Sequence, residues 1–266
     1  MSLLWTIILA VVQGLAEFFP VSSSAHLTIL GALGGIKEED ALVFFLVLHF
    51  GTLMATVVFF WRDLLSLAVG ALKGDREAWR FAGLVAVTTA FTGAIGLSLE
   101  HLTKKLVTEP GIAGGMLLFT AVYLWCTRYL PRGSKDSGGI TWLDAALVGI
   151  AQGLAVIPGV SRSGASISSG LARGMDRATA FRYSFLASLP AIAGAFLLEA
   201  RHSFSADNPH LWDDVLGALI SFAVGGIALW LWRRVVIKYG PHVFAPWCVF
   251  AGLCGIAVAL FKAGVL

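Results

Sequence analysis

The chain has 266 residues, 58% of them hydrophobic and 13% charged, with a net charge of +3 and a mean hydropathy of +0.83. A soluble domain carries about a quarter charged residues, so a soluble protein with one large core is excluded. Lys and Arg form no basic run, so a nucleic-acid-binding module is excluded as well.

The predicted elements fit an all-α polytopic membrane protein. Residues 2–34 open the chain as an apolar stretch without a basic leading region or a small-residue cleavage site, so they read as part of the mature fold rather than a signal peptide. Pro20 and the serines that follow it interrupt this stretch. Three stretches at 41–61, 80–99 and 112–130 are each long enough for a bilayer core, which takes about 20 helical residues. A second interrupted stretch covers 141–175, broken at Pro158-Gly159, and three more spans follow at 179–200, 212–232 and 243–262. Trp61, Trp79, Trp125, Trp212, Trp230, Trp232 and Trp247 sit near predicted span ends, where amphipathic rings favour the membrane interface. Cys126, Cys248 and Cys254 lie in apolar stretches without Cys-x-x-Cys spacing; neither zinc nor a disulfide framework is indicated, and they read as core or lipid-facing residues.

A break at membrane depth frees backbone groups that need protein or water partners, and such a break usually lines a cavity. Each interrupted stretch therefore reads as a re-entrant hairpin of two short helices; an ordinary kinked span is the alternative. Gln-Gly-Leu-Ala occurs at residues 13–16 and again at 152–155, so the chain divides into two repeats, about 1–131 and 141–266, each a broken hairpin followed by three spans. An odd number of crossings inverts the second repeat relative to the first. Basic residues concentrate after the first, third and fifth spans, at Arg62, Lys73, Arg76, Arg80, Arg128, Arg132, Lys135, Arg233, Arg234 and Lys238. Arg173, Arg177 and Arg182 fall on the same side, and only Lys37, Lys104, Lys105, Arg201 and Lys262 oppose them. The positive-inside rule then places both termini outside. The hairpins dip in from opposite faces, and their tips are expected to meet near mid-membrane, where inverted repeats commonly build a site.

The first tip reads QGLAEFFPVSSSAH at residues 13–26. Glu17 is ionisable within an apolar helix and so is a functional candidate; Gln13, one turn earlier, shares its face. Ser22, Ser23 and Ser24 supply hydroxyls or N-caps, and His26 is a candidate for proton transfer or attack. The second tip, PGVSRSGAS at residues 158–166, puts Arg162 among Ser161, Ser163, Gly164 and Ser166 where a helix begins. Unpaired N–H groups and a planar guanidinium at a helix N-terminus suit phosphate oxygens. An anion clamp facing an acid, a histidine and a nucleophilic hydroxyl suits phosphoryl transfer, and the intramembrane location implies a substrate with a lipid tail. No Walker-type phosphate loop is present.

These two motifs, with the Ser184-Phe-Leu-Ala-Ser-Leu-Pro190 stretch, closely resemble those of the undecaprenyl-diphosphate phosphatases of the bacitracin-resistance (BacA) family, over essentially the whole chain. The resemblance implies a bacterial plasma (inner) membrane enzyme that removes the terminal phosphate of undecaprenyl diphosphate. It would recycle the carrier lipid for cell-wall synthesis and confer bacitracin resistance. It implies catalytic roles for Glu17, Ser23, His26 and Arg162, with Ser23 or His26 attacking, and phosphate binding by Arg162, Ser161, Ser163 and Ser166. Support falls to Gln13, Ser24 and Gly164. It also implies a divalent cation, Mg2+ or Ca2+, whose ligands spacing does not reveal, Glu17 and Gln13 being the candidates. The expected partners are a polyprenyl diphosphate lipid and membrane lipids, with a homodimer as a further expectation. Two positions depart from the family's commonest pattern: Ala25 stands where glycine usually precedes the histidine, and Ser166 where threonine is usual. The rival class is a flippase, since an inverted repeat also suits alternating access; it needs Arg162 but has no evident use for Glu17, Ser23 and His26 together.

Overall fold

The computed structural model describes residues 2–36, 38–106, 109–203 and 211–265. Among the described residues the chain forms eleven α-helices, and its one β-type pairing is an isolated bridge between Lys135 and Met175. The first half holds α1 (Leu3–Ala16), α2 (Ser23–Leu33), α3 (Glu38–Phe59), α4 (Trp61–Leu72), α5 (Arg76–Leu106) and α6 (Pro110–Cys126). The second holds α7 (Trp142–Leu154), α8 (Arg162–Ala172), α9 (Arg177–Ser203), α10 (Leu211–Lys238) and α11 (Ala245–Lys262). Lys37 and the side chains of Lys104 and Arg201, which the charge count used, lie outside the described residues.

Five helices, α5, α6, α9, α10 and α11, are long and apolar enough to cross a membrane, and α3 with α4 forms a sixth candidate bent by 65°. The bend was not expected. The predicted span at 41–61 stops at Phe59, and the chain continues as α4 where a loop was anticipated. α4 has an acidic residue in its first turn and no buried residue, while Trp61, Leu65, Val69 and Leu72 are exposed at helical spacing on one face. That pattern suits a helix lying along the interface.

The two interrupted stretches are indeed pairs of short helices. α1 has 14 residues and α7 has 13, so each spans about 20 Å against a hydrocarbon core of about 30 Å. Neither crosses alone. Each is held instead by a long helix of the opposite half: α1 packs on α10, and α7 on α5. The exchange continues with α3 against α10, α9 against α5, and α6 against α11. The α6–α11 crossing is close because glycines meet there; a Cβ on Gly114 would come within 2.6 Å of the Gly252 carbonyl.

The largest core cluster joins Phe18 at the first break to Phe60, Phe181, Phe185 and Trp232. Trp232 departs from the interfacial role expected of it: it is fully buried, edge-on to Phe19 and Phe244. The basic residues near the second hairpin stitch helix ends together. Lys135 and Arg173 grip the buried carboxylate of Asp144 at 2.6 and 2.7 Å, Arg182 reaches Asp63 at 2.6 Å, and Arg177 caps the carbonyls of Ile237 and Lys238 at the end of α10. Cys126, Cys248 and Cys254 are all free thiols.

Candidate active site

α1 stops where Pro20, which has no N–H to give, approaches. Gln13 and Glu17 lie one turn apart, and Gln13 Nε2 donates to Glu17 Oε2 at 3.1 Å. The chain then reverses through Ser22, whose φ of 61° is the one left-handed value at a non-glycine among the described residues and is sterically costly. That turn starts α2 with Ser23 pointing back at α1, and Ser23 Oγ donates to Glu17 Oε2 at 2.6 Å. His26 is turned elsewhere. Its Nδ1–H donates to the Ser22 carbonyl at 2.9 Å, while Nε2 accepts the indole N–H of Trp247 at 3.0 Å. The two rings are within 6° of parallel. Both imidazole nitrogens are therefore engaged, one within the tip and one by α11.

The second tip is shaped by Gly159, whose φ of 99° favours glycine. A Cβ there would also collide with Met116 and the Ala113 carbonyl on α6. Ser161 caps α8, accepting from Gly164 N at 3.2 Å; the bare Cα of Gly164 leaves room for Tyr123 and Pro20. Arg162, first residue of α8, pairs through its guanidinium with Glu17 Oε1. Ser163 donates to the Phe19 carbonyl. Ser166 donates to the Arg162 carbonyl at 2.8 Å and touches Ser184. The tips meet directly: Gly159 N donates to Ser22 Oγ at 3.2 Å, and Ser24 Oγ lies 3.1 Å from the same hydroxyl.

Glu17, only 8% exposed, is thus compensated on both oxygens, as a buried carboxylate must be. One participant came as a surprise. His49 on α3 stands with Nε2 3.5 Å from Glu17 Oε2, and its Nδ1–H donates to the Phe45 carbonyl at 2.7 Å. It is the one ionisable residue inside the predicted 41–61 span, and the rule that singled out Glu17 applies to it equally. Thr52, one turn on, meets Gln13 Nε2 at 3.5 Å.

A cavity of about 440 Å³ opens above this cluster. Glu17, Ser23, Ser24, His49, Ser161 and Arg162 line one polar end, Phe45, Leu46, Ile192, Ala195 and Phe196 of α3 and α9 give apolar walls, and Thr92, Gln152 and Glu199 add further polar groups. Beyond the Glu17–Arg162 pair lies a second space of about 10 Å³, lined by Thr52, Thr56, Ser163, Ser166, Ser184 and Ser188, with room for about one water. His26 lines neither.

Among the described residues no three His, Cys, Asp or Glu side chains gather as a metal cage. The oxygens on offer are those of Glu17 and the buried amide oxygen of Gln13, which has no hydrogen-bond partner. Magnesium commonly takes one or two protein oxygens, with substrate phosphates and water completing its shell. Glu17 and Gln13 fit a cation of that kind.

Fold and site together define a polytopic membrane protein in which two helix breaks bring a carboxylate, a guanidinium and several hydroxyls to one centre. A family model described as "Bacitracin resistance protein BacA" matches residues 6–254, and the chain belongs to this family. It is 39% identical to the undecaprenyl-diphosphatase of Desulforapulum autotrophicum, over 96% of this chain and 98% of the relative. Against the undecaprenyl-diphosphatase of Desulfatibacillum aliphaticivorans the identity is 40%, over 95% and 97%. The undecaprenyl-diphosphatase of Methanosphaera stadtmanae is 35% identical over 98% and 99%.

Proposed function

We infer that this chain is an undecaprenyl-diphosphate phosphatase, hydrolysing the lipid diphosphate to undecaprenyl phosphate and inorganic phosphate. The observation that carries the reading is the Ser23 hydroxyl donating to a buried Glu17 beside the Arg162 guanidinium. A nucleophile, its base and an anion clamp meet at one point in a cavity whose apolar walls of Phe45, Leu46, Ile192, Ala195 and Phe196 suit a prenyl chain.

The diphosphate enters the polar part of the cavity and draws Arg162 off Glu17, since two phosphates offer the guanidinium more charge than one carboxylate. Ser161, Ser163 and the first N–H groups of α8 add to the clamp. Ser23 Oγ attacks the terminal phosphorus and gives its proton to Glu17 Oε2. The bond from that phosphorus to the bridging oxygen breaks, and the lipid monophosphate leaves with the bonding pair. Water then attacks the phosphoserine, the P–O bond to Ser23 breaks, and Ser23 recovers a hydroxyl with the proton held on Glu17, while the proton released by the water leaves with inorganic phosphate. A divalent cation held by Glu17 and Gln13 would neutralise charge on the transferring phosphoryl group. Ser166, through Arg162 and Ser184, and Gly164, through the cap, keep the α8 N-terminus in place. Ser24 steadies Ser22. His26 positions the turn rather than attacking, because both its nitrogens are already engaged.

The exchange of helices between halves supports the inverted-repeat reading. Combined with the basic residues at the C-terminal end of α10 and after the second hairpin, it favours a plasma-membrane orientation with both termini outside. The test is phosphate release from a prenyl diphosphate by purified protein in detergent micelles, where no two sides exist. Wild type should turn over, and Glu17→Ala and Arg162→Ala should lose at least about a hundred-fold. Near-normal turnover in either folded variant removes that residue from the mechanism.

A further inference from the structure

Two surface hollows adjoin at the C-terminal end of α10. One, of about 380 Å³, is lined by Trp230, Arg233, Arg234 and Ile237. The other, of about 360 Å³, shares Ile237 and brings Arg132, Arg177 and Lys238 together with Leu130, Pro131 and Leu171. Among the described residues Arg132, Arg233, Arg234 and Lys238 pair with no carboxylate. The one carboxylate along the hollows, Asp176, is taken up at the start of α9, where it accepts from Ala178 N, Thr179 N and Thr179 Oγ1 at 2.8, 2.9 and 2.8 Å. Arg177 is taken up as well, since its donors hold the Ile237 and Lys238 carbonyls and brace α9 on α10. The helix dipole accounts for a cation in the last turn of α10, but not for Arg132, which reaches the same hollow from beyond α6.

The approach to the hollows is apolar. Exposed Leu219, Ile227 and Trp230 follow one another along a face of α10 that ends, at helical spacing, in Arg234 and Ile237. The Arg234 guanidinium lies over the Trp230 ring, 3.5 Å from its centroid, and Lys238 Nζ lies 4.9 Å from that of Tyr239. Stacking holds a guanidinium by its flat face and leaves its N–H edge free to donate to a phosphate oxygen. Trp and Tyr rings mark the membrane interface. The apolar face therefore stands at acyl-chain depth and the four cations at headgroup depth.

We propose that the two hollows form one binding site for the phosphate headgroup of an anionic membrane phospholipid, held by Arg233 and Arg234 on one side and Arg132 and Lys238 on the other. An acyl chain lies along Leu219, Ile227 and Trp230. Basic pockets at helix ends take anionic headgroups in this way. A lipid fits better than a soluble anion because the cations close off an outward apolar face that a free phosphate would leave unused. No residue lines both these hollows and the cavity at Glu17 and Arg162, so the site is separate from the catalytic centre and does not depend on the phosphatase reading.

The melting temperature of the purified protein in detergent micelles would be titrated with dioleoylphosphatidylglycerol, dioleoylphosphatidylcholine and inorganic phosphate. Phosphatidylglycerol alone should raise the wild-type value, and saturably, as a ligand of the folded state does. Arg233→Gln with Arg234→Gln, and separately Arg132→Gln with Lys238→Gln, should move the midpoint of that titration about ten-fold or more to higher lipid. Without lipid both should melt near wild type, because none of the four side chains holds a carboxylate; should one pair fail to fold, the other carries the test. Arg62→Gln with Arg76→Gln removes the same charge from α4 and α5 and should titrate as wild type. No rise with phosphatidylglycerol, an unchanged midpoint in either folded hollow variant, an equal loss in the Arg62 and Arg76 variant, or an equal rise with phosphatidylcholine overturns the proposal. An equal rise with inorganic phosphate would mark a soluble-anion site and overturn the lipid assignment.

Discussion

At the scale of single residues, the site turns on which side chain of the first break faces Glu17. Ser23 and His26 are three residues apart, and spacing alone leaves either as the attacking group. The left-handed turn at Ser22 separates them, sending Ser23 to Glu17 and His26 to Trp247. His26→Asn, which keeps a donor for the Ser22 carbonyl, should therefore retain clearly more turnover than His26→Ala. Equal losses would argue that the imidazole itself is chemically required. Trp247→Phe removes one indole N–H and should cost about 1 kcal/mol of stability, read as a lower melting temperature, with activity largely kept. Glu17, Arg162 and the serines around them were legible because polar groups in an apolar helix break are costly and conspicuous. His49 was overlooked because its span carries no motif; only the packing of α3 beside α1 shows that it reaches Glu17.

The helices themselves were largely legible, since a proline and a Pro-Gly pair inside apolar stretches announce their own breaks. α4 was not. Its amphipathic pattern begins right after a span ends, and nothing in the sequence distinguishes a loop with apolar residues from a helix bent by 65° along the interface. At the second break, Gly159 combines a φ of 99° with close approach to α6. Gly159→Ala should then destabilise the protein by about 2–4 kcal/mol and lower turnover by displacing the α8 cap. A melting temperature equal to wild type would mean that α6 yields more easily than its packing indicates. The far end of the same hairpin depends on Asp144, which is fully buried between Lys135 and Arg173. Because both cations are partly exposed, Asp144→Ala should cost about 1–3 kcal/mol in a thermal melt, with inhibition by inorganic phosphate unaltered in the folded fraction.

For the molecule as a whole, the doubled Gln-Gly-Leu-Ala raised the expectation of two related halves, but not of the way each short helix packs on a long helix from the other half of the chain. α1 needs α10, and α7 needs α5, because neither is long enough to bury its apolar surface by crossing alone. Halves divided within residues 130–136 and expressed separately should be inactive, and co-expression should restore phosphate release; activity in one half alone would refute the shared site. The divergence of the copies follows from the same assembly, with Glu17 on one tip answered by Val156 at the matching place on the other, while Arg162 completes the pair across the interface. The most direct measurement is to quench the purified enzyme during turnover of a prenyl diphosphate labelled in its terminal phosphate and map the protein-bound label by mass spectrometry. The account predicts an acid-stable phosphoserine at Ser23 that is absent in Ser23→Ala and forms at least as fast as free phosphate appears. Acid-labile label on His26, or wild-type turnover by Ser23→Ala, would contradict it.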